Sequence, residues 1–175
     1  KVIGNYIENF CTVKDNTAAI NIASGGDTGR VVSDNIIIDG LGNNDGTPFS
    51  EGAAFGITLG NNSYETTITG NSVYDVENNG LFVQSSRGNA TIQNNSFIDC
   101  RGVNGVVNFQ CDNIGILLRS VDFENNLVVS TDTEQVVGRY YTLNSDINQF
   151  GTFDNNIFAN PIDTTALFRW EQSGV

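Results

Sequence analysis

The sequence has few positive charges and no histidine. Lysine and arginine together number 8 against 20 aspartates and glutamates, which gives a formal charge of −12. Only Lys1 and Lys14 are lysines, and basic residues form no run. This balance argues against nucleic acids and anionic membrane surfaces as partners. No apolar run is long enough to cross a bilayer, so we expect no membrane insertion.

The sequence also lacks any sustained apolar pattern with a period of 3.6 residues. Helices should therefore be few and short. The 19 glycines and abundant asparagines are typical of a loop-rich β protein. There are only 3 cysteines. Cys100 and Cys111 could pair, but the odd number and the distant Cys11 do not predict a disulfide framework.

A repeat is defined by asparagines at intervals of 30, 36, 24, 31 and 30 residues, which lie in the range of stacked repeat units. The residues three before and two after each of these asparagines are apolar in every copy, and the residue four after is small and polar. Because side chains alternate between the two faces of a strand, fixed offsets place the same residue type inside each time. The asparagines are Asn5, Asn35, Asn71, Asn95, Asn126 and Asn156.

We interpret each repeat as one coil of a β-solenoid, with short strands that meet at an asparagine corner. Asparagine tolerates left-handed backbone, which suits a sharp bend. Coils stacked about 4.8 Å apart let equivalent amide side chains hydrogen-bond from coil to coil as a ladder. Coils of variable length with fixed corners are typical of the right-handed form, so the prediction is an all-β, right-handed parallel β-helix of about six coils over residues 1–175. Since the chain begins within a strand pattern at Lys1-Val2-Ile3, we expect it to belong to a longer solenoid or to stack end to end on other copies.

The core pattern of the repeat also resembles a known family. Ile92, Asn95 and Phe97 show the pattern Ile-x-x-Asn-x-Phe/Val, which a Gly-Val or Gly-Leu strand follows. This is similar to the right-handed parallel β-helix repeat of the pectin-lyase-like superfamily. The resemblance covers nearly the whole chain and is specific for the fold, not for a reaction. Members include pectate and alginate lyases, polygalacturonases, epimerases, phage tailspikes and bacterial adhesins, so it implies an extracellular polysaccharide-active or adhesive protein.

The catalytic motifs of those relatives do not occur in this chain. None of the four polygalacturonase motifs is present, and without histidine the acid/base residue of the epimerases is excluded. Chondroitinase B-like lyases rely on a lysine base and an arginine, but Lys14 lacks the surrounding motif. Catalytic residues are therefore unknown, and the sequence leaves open whether the protein is an enzyme.

One acidic corner has two interpretations. Asp39, Asp75 and Asp99 occupy the same offset in successive coils, which would place their carboxylates about 5 Å apart. Pectate lyases bind calcium through clustered aspartates, and calcium would relieve the repulsion between such carboxylates. Alternatively, each aspartate caps its own turn by accepting backbone N–H bonds. The sequence requires no cofactor, and calcium at this corner is a hypothesis.

A second set of residues predicts a ligand face. Arg87 and Arg119 each lie shortly before the next corner asparagine, and Arg139 opens a segment that contains Tyr140 and Tyr141. We expect the third strand of this coil near residues 136–137 and a tyrosine-rich loop over 139–150. Arginine and tyrosine side chains along one edge can bind a glycan by guanidinium pairing and ring stacking. Alternatively, the arginines only offset neighbouring acidic residues.

Three functional classes follow from these patterns, of which a complete enzyme with an unfamiliar site ranks last. The first is a secreted or cell-surface segment that recognises an extended anionic or neutral polysaccharide. The second is a non-catalytic structural solenoid, such as an adhesin, a spacer or a filament subunit, whose partners are other copies bound through the solenoid ends.

Overall fold

A computed structural model describes residues 1–13, 16–22, 28–43, 53–60, 63–84, 88–111, 118–144, 147–163 and 167–173. The chain winds through three parallel sheets of six strands, and each coil contributes one strand to each sheet. Sheet A contains β1 (Val2–Ile3), β4 (Arg30–Ser33), β7 (Thr66–Thr69), β10 (Ala90–Gln93), β13 (Val121–Glu124) and β16 (Gly151–Asp154). Sheet B contains β2 (Tyr6–Glu8), β5 (Ile36–Gly40), β8 (Ser72–Val76), β11 (Ser96–Ile98), β14 (Leu127–Val129) and β17 (Ile157–Ala159). Sheet C contains β3 (Thr17–Ile22), β6 (Ala54–Leu59), β9 (Leu81–Gln84), β12 (Val107–Cys111), β15 (Gly138–Thr142) and β18 (Phe168–Gln172).

This architecture confirms the predicted all-β parallel β-helix of six coils. A short 3-10 helix covers Ile147–Gln149. In the described ranges no helix is long and apolar enough to cross a membrane.

The core is a column of apolar side chains that stack in register from coil to coil. Ile92 pairs with Ile68 and Phe123 in sheet A, and Phe97 pairs with Val73 in sheet B. All of these side chains are almost fully buried. The residues three before and two after each ladder asparagine therefore point inward in the central coils, as the sequence predicted.

The asparagine ladder joins all six coils. The Nδ2 of each asparagine donates to the Oδ1 of its counterpart in the next coil, over distances of 2.8 to 3.0 Å. The same Oδ1 also accepts the backbone N–H of the preceding asparagine. From Asn35 onward, each Nδ2 makes a further bond to a backbone carbonyl in the coil before it. The predicted ladder is confirmed.

The left-handed residue at this corner is the one before the ladder asparagine. Its φ angle is between 53° and 67° in all six coils, at Gly4, Asp34, Gly70, Asn94, Asn125 and Asn155. The interpretation that the ladder asparagine itself adopts left-handed backbone is therefore wrong. Glycine, asparagine and aspartate tolerate this conformation best, which explains why no other residue type occupies the position.

Left-handed residues also occur at two further positions of the coil. Asn9, Asp39, Asp75 and Asp99, each four residues after the ladder asparagine, have φ angles of 52° to 55°. Gly29, Glu65, Asn89 and Ser120, each six residues before it, have φ angles of 46° to 69°. Left-handed residues therefore recur every five residues through sheets A and B, and each bends the chain at or near the end of a short strand.

Candidate functional site

The outer face of sheet C carries aligned rows of polar and aromatic side chains. Strand alternation points Phe82 and Gln84 outward, while Leu81 and Val83 are fully buried. The parallel register then places equivalent residues of the other coils in the same rows. We define the sheet C face by one row of Asn21, Thr58, Phe82, Asn108, Arg139 and Arg169, and a second row of Gln84, Gln110, Tyr141 and Glu171.

A shallow groove of about 290 Å³ crosses β3, β6 and β9 on this face. The rings of Phe55 and Phe82 lie along it, stacked with centroids 5.3 Å apart and planes 17° from parallel. Beside them, Thr58 Oγ1 donates to Asn21 Oδ1 over 3.0 Å. Partly exposed aromatic rings bordered by hydroxyl and amide groups can contact the apolar face of a sugar ring, while the polar groups hydrogen-bond to its hydroxyls.

Arg139 and Tyr141 are neighbours on the outer side of β15. They lie on the part of the sheet C face that is away from the groove. The guanidinium carbon of Arg139 is 4.8 Å from the centroid of the Tyr141 ring. The Arg139 Nε and Nη2 atoms donate to Glu171 Oε2 over 2.8 and 2.6 Å, and Arg169 lies 3.4 Å from the other oxygen of the same carboxylate. The charge of Arg139 is thus largely balanced within the protein, which weakens its attraction for an acidic sugar.

Tyr140 does not belong to the surface. Its side chain is fully buried, and its ring packs edge-on against Phe150 at 5.0 Å and Trp170 at 5.5 Å between centroids. The prediction that Tyr140 binds a ligand is therefore wrong, since a buried ring offers no face to a glycan. The cause is the position of the third strand, which runs over Gly138–Thr142 instead of residues 136–137.

Of the two other predicted arginines, Arg119 is not brought to the sheet C face. Arg119 is half-buried and lies just before β13 of sheet A. Its carbonyl oxygen accepts the backbone N–H of Asn89 over 3.2 Å. Arg87 lies outside the described residues. A role for either in ligand binding stays a prediction.

The acidic corner makes contacts with the protein. Asp75 Oδ1 accepts a hydrogen bond from the Arg101 guanidinium, and Asp99 Oδ1 accepts one from the hydroxyl of Thr131. Among the residues that the structure describes, no group of three histidine, cysteine, aspartate or glutamate side chains is arranged to bind a metal ion. With Asp39, both aspartates also adopt the left-handed backbone of a corner. The three aspartates thus lie at a corner, and both the capping of backbone N–H groups and calcium binding stay predictions.

None of the three cysteines forms a disulfide, and Cys100 and Cys111 are buried. Burial raises the pKa of the Cys100 thiol to about 12. The Cys100 Sγ donates weakly to the carbonyl oxygen of Ile98 over 3.4 Å. At neutral pH this thiol is protonated, so Cys100 lacks the thiolate that a catalytic nucleophile needs.

Sequence reasoning missed Phe55, Phe82, Gln84 and Gln110 as site residues. A signal was present in the run Leu-Phe-Val-Gln over residues 81–84. If leucine and valine point inward, the phenylalanine between them must point outward. A large aromatic side chain on the solvent side of a strand is a candidate for ligand contact.

Comparisons with models of protein families, with curated protein sequences and with solved structures gave no match. The interpretation of the sheet C face therefore rests on its geometry.

Proposed function

We propose that the protein binds an extended neutral polysaccharide along the sheet C face. The stacked pair of Phe55 and Phe82, set in a groove with Asn21, Thr58 and Gln84, carries this proposal. Both rings are partly exposed, although apolar side chains of this size are usually buried. Their position between amide and hydroxyl groups matches the mixed apolar and polar surface of a sugar.

The repeat of the fold supports a polymeric ligand. Equivalent side chains of adjacent coils lie about 4.8 Å apart, so six strands present aligned rows over roughly 24 Å. Exposed or half-buried amides recur in these rows at Asn21, Gln84 and Gln110, whereas Asn108 of the first row is buried. A chain of repeating sugar units lying along the solenoid axis would meet similar groups at successive coils.

The charge distribution favours a neutral glycan over an acidic one. In a protein with a formal charge of −12, Glu171 is the only acidic residue within the strands of sheet C. Its carboxylate is paired with Arg139. The face thus has little charge of either sign, and the acidic remainder of the protein would repel an anionic polymer.

The proposal is one of binding, without an assigned reaction. The sheet C strands contain a single carboxylate, Glu171, whereas acid/base cleavage of a glycosidic bond by the usual route uses two. A secreted or cell-surface location and a relation to the pectin-lyase-like superfamily are part of the same proposal. They are supported by the β-helix fold and the acidic composition.

Affinity electrophoresis through gels that contain soluble neutral glucans, mannans or xylans tests the proposal. Polygalacturonate serves as the acidic comparison. The parent should be retarded by at least one neutral polysaccharide, and Phe82→Ala should bind it at least about tenfold more weakly through loss of ring contact. The control is Thr67→Ala, an outward residue of sheet A in the same coil, which should bind like the parent. Equal binding by Phe82→Ala and the parent, or no retardation of either, would overturn the proposal.

A structural solenoid remains the second candidate. It is favoured by the unbroken ladder and by large apolar side chains exposed in the sixth coil, where Ile157 is 62% and Trp170 is 44% exposed. If no polysaccharide retards the protein while it assembles as its concentration rises, the structural role becomes the better conclusion.

A further inference from the structure

The outer face of sheet B is mostly apolar. Its inward residues Ile37, Val73, Phe97 and Val128 are buried, so the residues on either side of them point outward. We define the sheet B face by a first row of Tyr6, Ile36, Ser72, Ser96, Leu127 and Ile157, and a second row of Glu8, Ile38, Tyr74, Ile98, Val129 and Ala159. Tyr6 is 60%, Ile36 48%, Tyr74 47% and Ile157 62% exposed.

The fold itself does not require this surface. In the third to fifth coils, the outward residues of sheet A are polar or charged, namely Thr67, Thr69, Thr91, Gln93, Asp122 and Glu124. The two sheets share the same strand spacing and alternation, so the apolar character of sheet B is a property of its sequence. A contiguous exposed apolar surface of this kind marks a site of interaction.

The distribution of charge narrows the choice of partner. Glu8 is the only charged side chain in the two rows, while the left-handed aspartates Asp39, Asp75 and Asp99 form an acidic border along one side. Such a border would repel nucleic acid or an anionic membrane surface. The face therefore fits a partner with an apolar centre and with neutral polar groups opposite the acidic border.

We propose that the sheet B face binds the sheet B face of a second copy, with the two solenoid axes parallel. A two-fold axis along the solenoid places the first row of one copy opposite the second row of the other, coil by coil. Small residues then oppose large ones. Ser72 faces Tyr74 of the second copy, Ser96 faces its Ile98, and Ala159 faces its Ile157.

The same two-fold axis also keeps the acidic borders of the two copies away from each other. It places each corner aspartate opposite the ladder corner of the second copy, so that Asp99 lies opposite Asn95 and its neighbour Asn94, and Asp75 lies opposite Asn71 and its neighbour Gly70. Asn94 is exposed, and its amide can donate to a carboxylate. With antiparallel solenoids the borders would face each other, bringing Asp75 near Asp99 of the second copy. Repulsion between those carboxylates favours the parallel arrangement.

The size of the face predicts a weak dimer. Twelve outward side chains are fewer than the roughly 20–30 residues per partner of a standard interface. Two copies of charge −12 also repel each other, so salt should strengthen the association by screening. This dependence is opposite to that of an interface held by ion pairs between the copies.

Sedimentation velocity tests the proposal over protein concentrations from about 10 to 500 µM, at low and high sodium chloride. The parent should shift from monomer to dimer as concentration rises, and more strongly at high salt. Tyr74→Lys/Ile98→Lys should weaken dimerisation at least tenfold. The matched control is Thr67→Lys/Thr91→Lys, which adds the same charge to outward positions of the same coils in sheet A and should dimerise like the parent.

A residue exchange tests the parallel register. Ser72→Tyr alone would oppose two tyrosines and weaken the dimer, while Ser72→Tyr/Tyr74→Ser should restore it. Both positions are exposed, so the variants should fold, and their melting curves verify this. A parent that stays monomeric throughout, or two lysine variants that dimerise equally, would overturn the proposal. Failure of the exchange to restore the dimer would overturn the parallel arrangement.

Discussion

The side-chain oxygen of Asn126 accepts two hydrogen bonds from Asn95, one from its backbone N–H and one from its Nδ2, each 3.0 Å long. The Nδ2 of Asn126 in turn donates to the carbonyl oxygen of Ile92 over 2.9 Å. Both asparagines are 1% exposed. From Asn71 to Asn126, each ladder side chain therefore satisfies a buried backbone N–H and a buried carbonyl of the coil before it, and it bonds the next coil through that coil's asparagine side chain.

Asn95→Leu should be strongly destabilising. The backbone N–H and Nδ2 of Asn71, which donate to Asn95 Oδ1 over 3.0 and 2.9 Å, would lose their acceptor in a buried position. Since each unsatisfied buried group costs about 1–3 kcal/mol, we expect a loss of roughly 3 kcal/mol or more in unfolding free energy. Denaturant unfolding measures it. Thr91→Leu, an outward change in the same coil, is the control, and a parent-like midpoint for Asn95→Leu would contradict the ladder's role.

Stability should depend on whether glycine or a β-branched residue occupies the left-handed corner. Asn125 is exposed and has a φ angle of 56°. Asn125→Gly should leave stability nearly unchanged, whereas Asn125→Val should cost about 1–2 kcal/mol because its β-branched side chain crowds the backbone there and lacks the short polar group of asparagine. Thermal unfolding of the two variants side by side provides the measurement. Equal stabilities would show that the corner relaxes away from the left-handed region.

Phe97 and Ile98 are adjacent in one strand, and together they test which residues of that strand point into the core. Phe97 is fully buried and points into the column, while Ile98 lies on the outer side of the same strand. Phe97→Ala should cost about 3–5 kcal/mol through the cavity that it leaves. Ile98→Ala, measured at a protein concentration low enough to keep the protein monomeric, should cost much less. The reverse order would mean that the strand faces the other way.

Cys100 should resist thiol reagents in the folded protein. Its thiol is buried, and this burial raises its pKa from 9.0 to about 12. At pH 8 we expect Cys11, which is only half-buried, to react first with an aromatic disulfide reagent, and Cys100 to react only after unfolding. Because the unfolded thiol ionises at lower pH than the folded one, this residue's contribution to stability is complete below about pH 9 and declines as the pH rises toward 12. Rapid modification of Cys100 at pH 8, located by peptide mapping, would contradict its burial.

Calcium should have little effect on stability. The pairing of Asp75 with Arg101 and of Asp99 with Thr131 leaves these carboxylates partly engaged, and calcium would have to displace the arginine. Melting temperatures with millimolar calcium, with magnesium and with a chelator measure the effect, and we expect them to agree. A rise specific to calcium, lost in Asp75→Asn, would instead support a calcium site at this corner.

The sequence predicts sheets A and B well because a fixed number of residues separates their strands from the ladder. Phe97 and Val128 each follow a ladder asparagine by two residues, and both point inward. Sheet C has no such constant spacing. Leu81 follows Asn71 by ten residues, whereas its register partner Val107 follows Asn95 by twelve, because loops of different length intervene.

The same variation explains the errors at the candidate site. A strand placed two residues too early in the fifth coil puts both Tyr140 and Tyr141 in a loop, where both could reach a ligand. Within one strand, adjacent side chains must point to opposite faces. Only Tyr141 remains outside. The groove lined by Phe55 and Phe82 was missed because their alignment depends on the register between coils, which a single sequence does not specify in sheet C.

The ladder also gives the solenoid a net dipole along its axis. In a parallel sheet the strand dipoles leave only a small net moment, but each ladder Nδ2 points toward the next coil, from Asn5 to Asn156. These amide dipoles therefore add along the axis, as peptide dipoles do in an α-helix. The oxygen pole lies at the Asn5 end and the N–H pole at the Asn156 end. Because the amides between them are buried, solvent screens this row poorly, and each bond polarises the next. An anion is consequently favoured at the sixth coil and a cation at the first.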